Sequence, residues 1–295
     1  MENKTADTKA AEHQPSFLVR HEFLIRRLHS LSGLIPVGAY MCVHLLVNAS
    51  VLDSPGAFQR NVYQIHSLGN LLPLVEWVFI FIPILFHAIF GIVIIQGGLP
   101  NTSSYPRVAN YRYTLQRVTG VIAFFFIMWH VFHMHGWFHG EAWLERIHPL
   151  MGGMFKPFNA ASSAGAAIHG HPLIQVVYAV GILSCVFHLA NGIWTMGITW
   201  GVWISPGSQR RASYACLAFG LVLAAVGMGA LSGFGTMDEE KVQEAVELEN
   251  RLYNSRVSAG EIDPNEEKRS PSGESASSPA VEARAPRTEL DSASR

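Results

Sequence analysis

Long stretches without charged residues alternate with short polar segments along the chain. The uncharged stretches cover residues 28–52, 61–106 apart from Glu76, 118–140, 157–209 and 212–237. A bilayer core is about 30 Å thick and a helix needs about 20 apolar residues to cross it. Each stretch can therefore hold a span. The pattern predicts an all-α integral membrane protein with five transmembrane helices, at roughly 24–51, 74–98, 111–138, 172–200 and 211–233.

The segments that flank the predicted helices have a different composition. Residues 1–16 are polar and are expected to be disordered, whereas residues 17–235 form the predicted five-helix domain. Residues 238–256 favour a short polar helix, but the chain from about Ser258 is too rich in Ser, Pro, Glu and Ala to bury a core. We therefore expect residues 236–295 to form a polar, largely disordered tail.

Charge and cysteine content narrow the class of protein. Only 15% of the 295 residues are charged and the formal net charge is −1, with no basic stripe of the kind that binds nucleic acid. The three cysteines, Cys42, Cys185 and Cys216, all lie in apolar stretches, which argues against a disulfide framework and a Cys-x-x-Cys site. We expect a multi-pass membrane protein whose partners include lipid and exclude nucleic acid.

Basic residues are distributed unevenly between the two ends of the predicted helices. Eight arginines flank the end at which the first helix begins: Arg20, Arg26, Arg27, Arg107, Arg112, Arg117, Arg210 and Arg211. Three basic residues flank the opposite end: Arg60, Arg146 and Lys156. Because Lys and Arg are concentrated in cytoplasmic loops, we expect a cytoplasmic N-terminus and an outside C-terminal tail, in the inner (cytoplasmic) membrane.

Four of the 14 histidines lie inside predicted helices, where an ionisable residue is costly and marks a functional site. Counted from the charged edges at about 1.5 Å per residue, His44 and His130 lie in the outer half of the membrane, and His87 and His188 lie in the inner half. Facing imidazoles in a helix bundle can hold a cofactor, and His is a common axial ligand of haem iron. The sequence predicts two haem pairs in a four-helix bundle, with one peripheral helix.

A repeated glycine spacing favours a flat macrocycle over a small ion. Gly91 and Gly192 each lie four residues after a candidate ligand, in H-x-x-x-G motifs, on the same helix face one turn away. They would leave room for the edge of a porphyrin. No carboxylate or cysteine accompanies the histidines, which argues against zinc or di-iron. The alternatives are hydrogen bonding between helices and, for the ligand His130, its neighbour His133 one turn further on.

Five further residues are candidates at the ends of the predicted bundle. His29 and Ser30 lie at the inner end and suit the propionates of the inner haem, and a contact with lipid headgroups is the alternative. Glu76 is the one acid within a predicted helix and lies near its outer end. It is a candidate proton-handling group beside a quinone, and the alternative is a carboxylate that reaches water. His66 and Asn48 are the other candidates for that quinone site.

These residues together resemble a known family. The segments RRLHSLSGLIPVGAY, HLLVN, FHAIFG, QRVTG, WH, FHLANGIW, TWG and SQR are similar, in this order, to the di-haem cytochrome b membrane subunit of succinate dehydrogenase and fumarate reductase. The resemblance is to the single-subunit, five-helix type and covers about residues 17 to 233. It implies that His44, His87, His130 and His188 are axial ligands, paired first with third and second with fourth. The charged C-terminal tail departs from the family core.

The resemblance also implies partners and a reaction. A flavoprotein (FAD) subunit would oxidise succinate, and an iron–sulfur subunit would dock on the cytoplasmic face. Electrons would pass through two haem b groups, the inner before the outer, to membrane quinone (menaquinone or ubiquinone). One alternative is a haem b anchor of another dehydrogenase or of a hydrogenase. Another, from a different class, is a transporter with histidine proton relays, which would bind no haem.

Overall fold

The protein is described by a computed structural model over residues 17–98, 100–136, 143, 146, 147 and 151–270. Within these residues the fold is all-α, and the one β-type contact is an isolated bridge between Lys156 and Asn159. The predictions of disorder for residues 1–16 and for the end of the tail fall outside the described residues.

Five helices of the described chain are long and apolar enough to cross a membrane: α1, α3, α4, α6 and α7 in the numbering that follows. In chain order the helices are α1 (Glu22–Leu52), α2 (Pro55–His66), α3 (Gly69–Gln96), α4 (Val108–His135), α5 (Ala160–Ile168), α6 (Pro172–Thr199), α7 (Pro206–Gly235) and α8 (Glu239–Ser258). The prediction of five transmembrane helices is confirmed. Each span begins and ends within about five residues of its predicted bounds.

Capping side chains and prolines determine where several helices begin and bend. Ser54, Ser205 and Asp238 each accept a hydrogen bond from the backbone N–H three residues later, at 3.0–3.2 Å. Each cap satisfies a donor that the first turn leaves without a partner. Inside α1, Ile35 has extended dihedral angles (φ −129°, ψ 114°) before Pro36, so this helix is kinked where proline removes a backbone donor.

The spans pack as a bundle around a central space. α1, α3, α4 and α6 surround a cavity, and α7 packs on the outside against α6 and α1. Large apolar side chains cover the outer surface, for example Ile89 (58% exposed) and Phe125 (66% exposed). Such a surface suits hydrocarbon and not water. The arrangement is the predicted four-helix bundle with a peripheral fifth helix.

The two ends of the bundle differ in what they carry. We call the end at which α1 begins the arginine end, since Arg26, Arg27, Arg112, Arg117 and Arg211 lie there. The opposite end, where α2, α5 and α8 lie, is called the tail end. There α2, α5 and α8 pack against one another around a small apolar core, with exposures of 0–3%: Phe58, Ala160, Ala161, Ile168 and Ala245.

The C-terminal tail is more ordered than its composition predicts. The short polar helix expected at 238–256 is α8. Residues 258–270, for which disorder is expected, are instead held by hydrogen bonds: Arg269 donates to Asn250 (2.9 Å), and the Phe158 N–H donates to the Lys268 carbonyl (3.0 Å). A segment that buries little apolar surface is therefore fixed by polar contacts with its surroundings.

Candidate cofactor site

A cavity of about 2480 Å³ extends through the bundle from the arginine end to the tail end. Sites for one small molecule are about 300–1,000 Å³, so this cavity has room for more than one large group. Its lining contains every site residue predicted from the sequence: His29, Ser30, His44, Glu76, His87, Gly91, His130, His188 and Gly192. The predicted residues thus lie around one shared space.

The four candidate ligands lie in two facing pairs. The ring centroids of His44 and His130 are 5.8 Å apart, and those of His87 and His188 are 6.1 Å apart. A metal–nitrogen bond to histidine is about 2.0–2.1 Å long, so two imidazoles on one iron have centroids about 6 Å apart. Each pair has the separation that a bis-histidine iron requires, and the pairing is the one that helix depth predicts.

The contacts of Nδ1 bear on which ring nitrogen of His87 and of His188 can bind a metal. Nδ1 of His87 lies 2.9 Å from the backbone carbonyl of His29, and Nδ1 of His188 lies 3.0 Å from that of Gln116. A carbonyl oxygen can only accept, so Nδ1 of His87 carries the proton and Nε2 is unprotonated, as in metal-binding histidines whose other nitrogen is held by a carbonyl. The Gln116 amide nitrogen also lies 3.2 Å from Nδ1 of His188, so this ring can donate to the carbonyl or accept from the amide.

Tyr178 of α6 separates the roles of two neighbouring histidines on α4. Its hydroxyl lies 3.2 Å from Nδ1 of His130 and 2.9 Å from Nδ1 of His133. A phenol donates one hydrogen bond and accepts another, so it can serve both rings. His133 is 1% exposed and its ring stacks on that of Trp129, with centroids 4.8 Å apart. His130 lines the cavity, whereas His133 does not. The geometry favours His130 as the ligand over its rival.

Two glycines make room for the rings of His87 and His188. Gly33 of α1 lies against the ring of His87, and Gly120 of α4 lies against the ring of His188. A Cβ atom at either glycine would overlap the imidazole. The sequence does not indicate this role, because each glycine and its histidine lie on different helices.

The glycines predicted from the H-x-x-x-G spacing have other neighbours. A Cβ on Gly91 would lie 3.2 Å from the ring of His29, and a Cβ on Gly192 would lie 3.5 Å from the Gln116 amide. Both glycines line the cavity. They therefore widen the cavity beside the second pair and do not touch the rings of the candidate ligands.

Buried nitrogen atoms at the arginine end lack partners. Arg27 Nη1, His29 Nδ1 and Arg117 Nε have no hydrogen-bond partner among the described residues, and all three residues line the cavity. The ring of His29 stacks on that of His87 with centroids 4.0 Å apart. Buried donors without a partner, two of them on arginines, point to an anionic group, and a haem carries propionates. The residues present therefore fit haem at this end.

Other polar groups at the arginine end already have partners. The Ser30 hydroxyl donates to the Arg27 carbonyl (2.9 Å) and accepts from the Trp200 indole N–H (3.1 Å). Arg112 donates to Asn191 (2.8 Å) and so links α4 to α6. Ser30 lies at the inner end of the cavity, as predicted, but its hydroxyl already donates one hydrogen bond and accepts another within the protein.

The tail end of the cavity holds the residues considered for a quinone. Glu76 on α3 and His66 on α2 are both half-buried there. The Asn48 amide donates to the backbone carbonyl of His44 (2.8 Å), and its nitrogen also lies 3.4 Å from the ring Nε2 of His44. Burial, and after it the positive charge of Lys268, lowers the pKa of His66 to about 4, so this imidazole is neutral at pH 7.

The ligand groups fit a macrocycle better than a bare ion. Among the described residues, no cluster of three or more His, Cys, Asp or Glu side chains could hold a metal ion. Zinc and di-iron sites use such clusters, whereas haem iron takes only axial ligands from the protein. Paired histidines in a membrane-spanning bundle define the class of membrane cytochromes.

Comparison with known proteins places the chain within that class. Residues 100–227 match the family described as "Succinate dehydrogenase/Fumarate reductase transmembrane subunit". The chain is 36% identical over 213 residues to the succinate dehydrogenase cytochrome b558 subunit of Bacillus subtilis (strain 168). The matched segment covers 72% of this chain and 97% of that protein. The chain belongs to the cytochrome b membrane anchors of succinate dehydrogenase and fumarate reductase, which confirms the resemblance noted in its motifs.

Proposed function

We propose that this chain carries electrons through two haem b groups to membrane quinone, as the anchor of a succinate:quinone oxidoreductase. The observation that carries the proposal is the two facing pairs, His44 with His130 and His87 with His188, at iron-binding separation in one cavity. When bound, the haems supply a one-electron relay between the soluble subunits and the quinone.

The chain's own residues would bind and orient the haems. Backbone carbonyls lie at hydrogen-bond distance from Nδ1 of His87 and His188, and rings that donate to them would hold the haem iron through Nε2. Arg27 and Arg117 would neutralise the propionates at the arginine end, and His29 would hydrogen-bond to them; one buried nitrogen of each residue has no hydrogen-bond partner among the described residues. Space for the porphyrin edge is left by the glycines at 91 and 192.

The direction of electron flow follows from the charge of the two ends. The arginine-rich flanks support a cytoplasmic arginine end, on which the flavoprotein and iron–sulfur subunits would dock. Electrons would then enter beside His87 and His188 and leave beside His44 and His130. Quinone would be reduced at the tail end, where Glu76 lines the cavity.

Purification of the tagged chain with its partners tests the function. We expect two low-spin haem b groups per chain, co-purification of a flavoprotein and an iron–sulfur protein, and succinate-dependent quinone reduction. A complex with a different dehydrogenase or a hydrogenase would favour the first alternative. A chain isolated without haem would favour the transporter.

Replacement of Glu76 by Gln tests the quinone site. Reduction of quinone to quinol consumes two protons, and a positioned proton-transfer group contributes about 10²–10⁴-fold to a rate. Because the change removes ionisation at nearly constant shape, quinone turnover by the complex should fall about tenfold or more. The haem spectra and succinate oxidation by a soluble artificial acceptor should stay unchanged.

The exposed Asp53, outside the cavity lining at the same end, gives the matched control Asp53→Asn. Equal quinone turnover in the Glu76 and Asp53 variants over the whole pH range would leave Glu76 as an interfacial carboxylate. His66 and Asn48 would then be the residues to test.

A further inference from the structure

The C-terminal tail forms part of the cavity wall, although it follows the last span and lies beyond the segment that matches the family. Residues 261–265, 267 and 268 line the tail end of the cavity together with Glu76 and His66. The tail thus contributes to the proposed quinone end of the molecule.

The tail is fixed in this position by a buried anchor on α8. Glu249 is fully buried, and its carboxylate accepts hydrogen bonds from the Ala161 N–H (2.7 Å) and the Ser162 hydroxyl (2.5 Å) at the start of α5. Further along, the Asn265 N–H donates to the Tyr253 hydroxyl (2.8 Å). Residues 261–268 are therefore held at one place relative to the bundle.

Lys268 is the cation that this segment brings to the cavity. Lys268 lines the cavity with Glu76 and His66, and its positive charge lowers the pKa of His66. Its backbone carbonyl accepts the hydrogen bond from the Phe158 N–H, and its Nζ lies 6.0 Å from the centroid of that ring. The other ionisable side chains that line the cavity at this end include Tyr40, His135, Lys156, Arg256 and the acids Glu261, Asp263 and Glu267.

We propose that the tail is a wall of the quinone site and that the ammonium charge of Lys268 stabilises negative charge on the quinone oxygens. The proposal rests on the proposed function. In the overall reaction, the quinone takes two electrons that originate from succinate and two protons from solvent, by way of Glu76, and becomes quinol. Lys268 keeps its own proton and stabilises the charge that forms when an electron arrives before a proton.

The test compares Lys268→Gln, Lys268→Arg and the control Arg251→Gln in the assembled complex. Arg251 is an exposed residue of α8 outside the cavity lining, so its replacement removes a positive charge from the same tail. Loss of one buried electrostatic donor lowers kcat by about 10²–10³. Because Lys268 is exposed, Lys268→Gln should lower kcat for quinone about five- to tenfold, with KM changed less than about twofold. Lys268→Arg should restore at least half the activity.

Haem content and succinate oxidation by a soluble acceptor report whether the complex is intact in each variant. Equal quinone kinetics in Lys268→Gln and Arg251→Gln would overturn the proposal. If Glu76→Gln is impaired while Lys268→Gln is not, the tail proposal alone fails. A reduced kcat in Lys268→Gln with normal turnover in Glu76→Gln would support the wall and remove the proton role of Glu76.

Discussion

At the scale of single residues, the position of Gly33 limits how the ring of His87 can lie. Because a Cβ at this position would overlap the imidazole, Gly33→Ala should displace the ring from its place opposite His188. Overpacking of this kind costs about 1–3 kcal/mol. We expect the spectrum and midpoint potential of one haem to change and those of the other to stay constant, as measured by a redox titration of the purified complex.

Gly207→Ala on α7 is the matched control for this prediction. Gly207 lies outside the cavity lining, and a Cβ there would make an ordinary contact at 3.9 Å with the Arg211 guanidinium, so both haems should keep their potentials. Identical titrations for Gly33→Ala and the unchanged protein would contradict the assigned place of the His87 ring.

The candidate ligands were predictable from sequence, but their neighbours were not. His44, His87, His130 and His188 stand out because an ionisable residue in an apolar stretch is costly, and counting along each helix was enough to pair them. Tyr178 lies on a different helix from the histidine that it contacts. Such contacts depend on how helices rotate against each other, which the period of one helix does not determine.

At the scale of elements, Glu249 attaches α8 to α5 with a carboxylate whose protonation depends on pH. Burial raises the pKa of Glu249 to about 7, from an ordinary value of 4.5. The stabilisation is therefore complete below pH 4.5 and is lost as the pH rises through about 7. Between pH 6 and pH 8, local opening of α8 should become about tenfold more frequent, which hydrogen exchange of its amides would measure.

Two variants separate this effect from a general response to pH. Glu249→Gln stays neutral and should remove most of the pH dependence, whereas Glu247→Gln, at an exposed position of the same helix, should preserve it. The neighbouring Tyr63 does not titrate in this range, since burial raises its pKa to about 12. Opening of α8 that does not change between pH 6 and pH 8 in the unchanged protein, once the exchange rates are corrected for the intrinsic base catalysis of amide exchange, would contradict the prediction.

The packing of α8 was harder to predict than its helicity. The polar composition of residues 238–256 indicates a helix but not a buried face. The buried residues are Ala245, Glu249 and Tyr253, one per turn and four residues apart. This narrow stripe was the available signal, but the acid in its centre conceals it, because Glu249 is buried only through its bonds to the start of α5.

At the scale of the whole molecule, the orientation determines the electron route. Single cysteines at Asn101, in the loop at the arginine end, and at Arg251, on α8, provide the test. The native cysteines all lie in the spans. A membrane-impermeant maleimide should label position 251 in intact cells and position 101 only after permeabilisation. The opposite pattern would reverse the orientation and the proposed direction of electron flow.

The proposed electron route depends most on the assignment of four histidines to two haems. The direct measurement is a low-temperature optical and EPR redox titration of the purified complex with each histidine replaced by leucine. Because a bis-histidine iron needs both axial ligands, His44→Leu and His130→Leu should lose the same low-spin component. His87→Leu and His188→Leu should lose the other. Two unperturbed low-spin haems in His87→Leu, or a loss that pairs the histidines differently, would contradict the account.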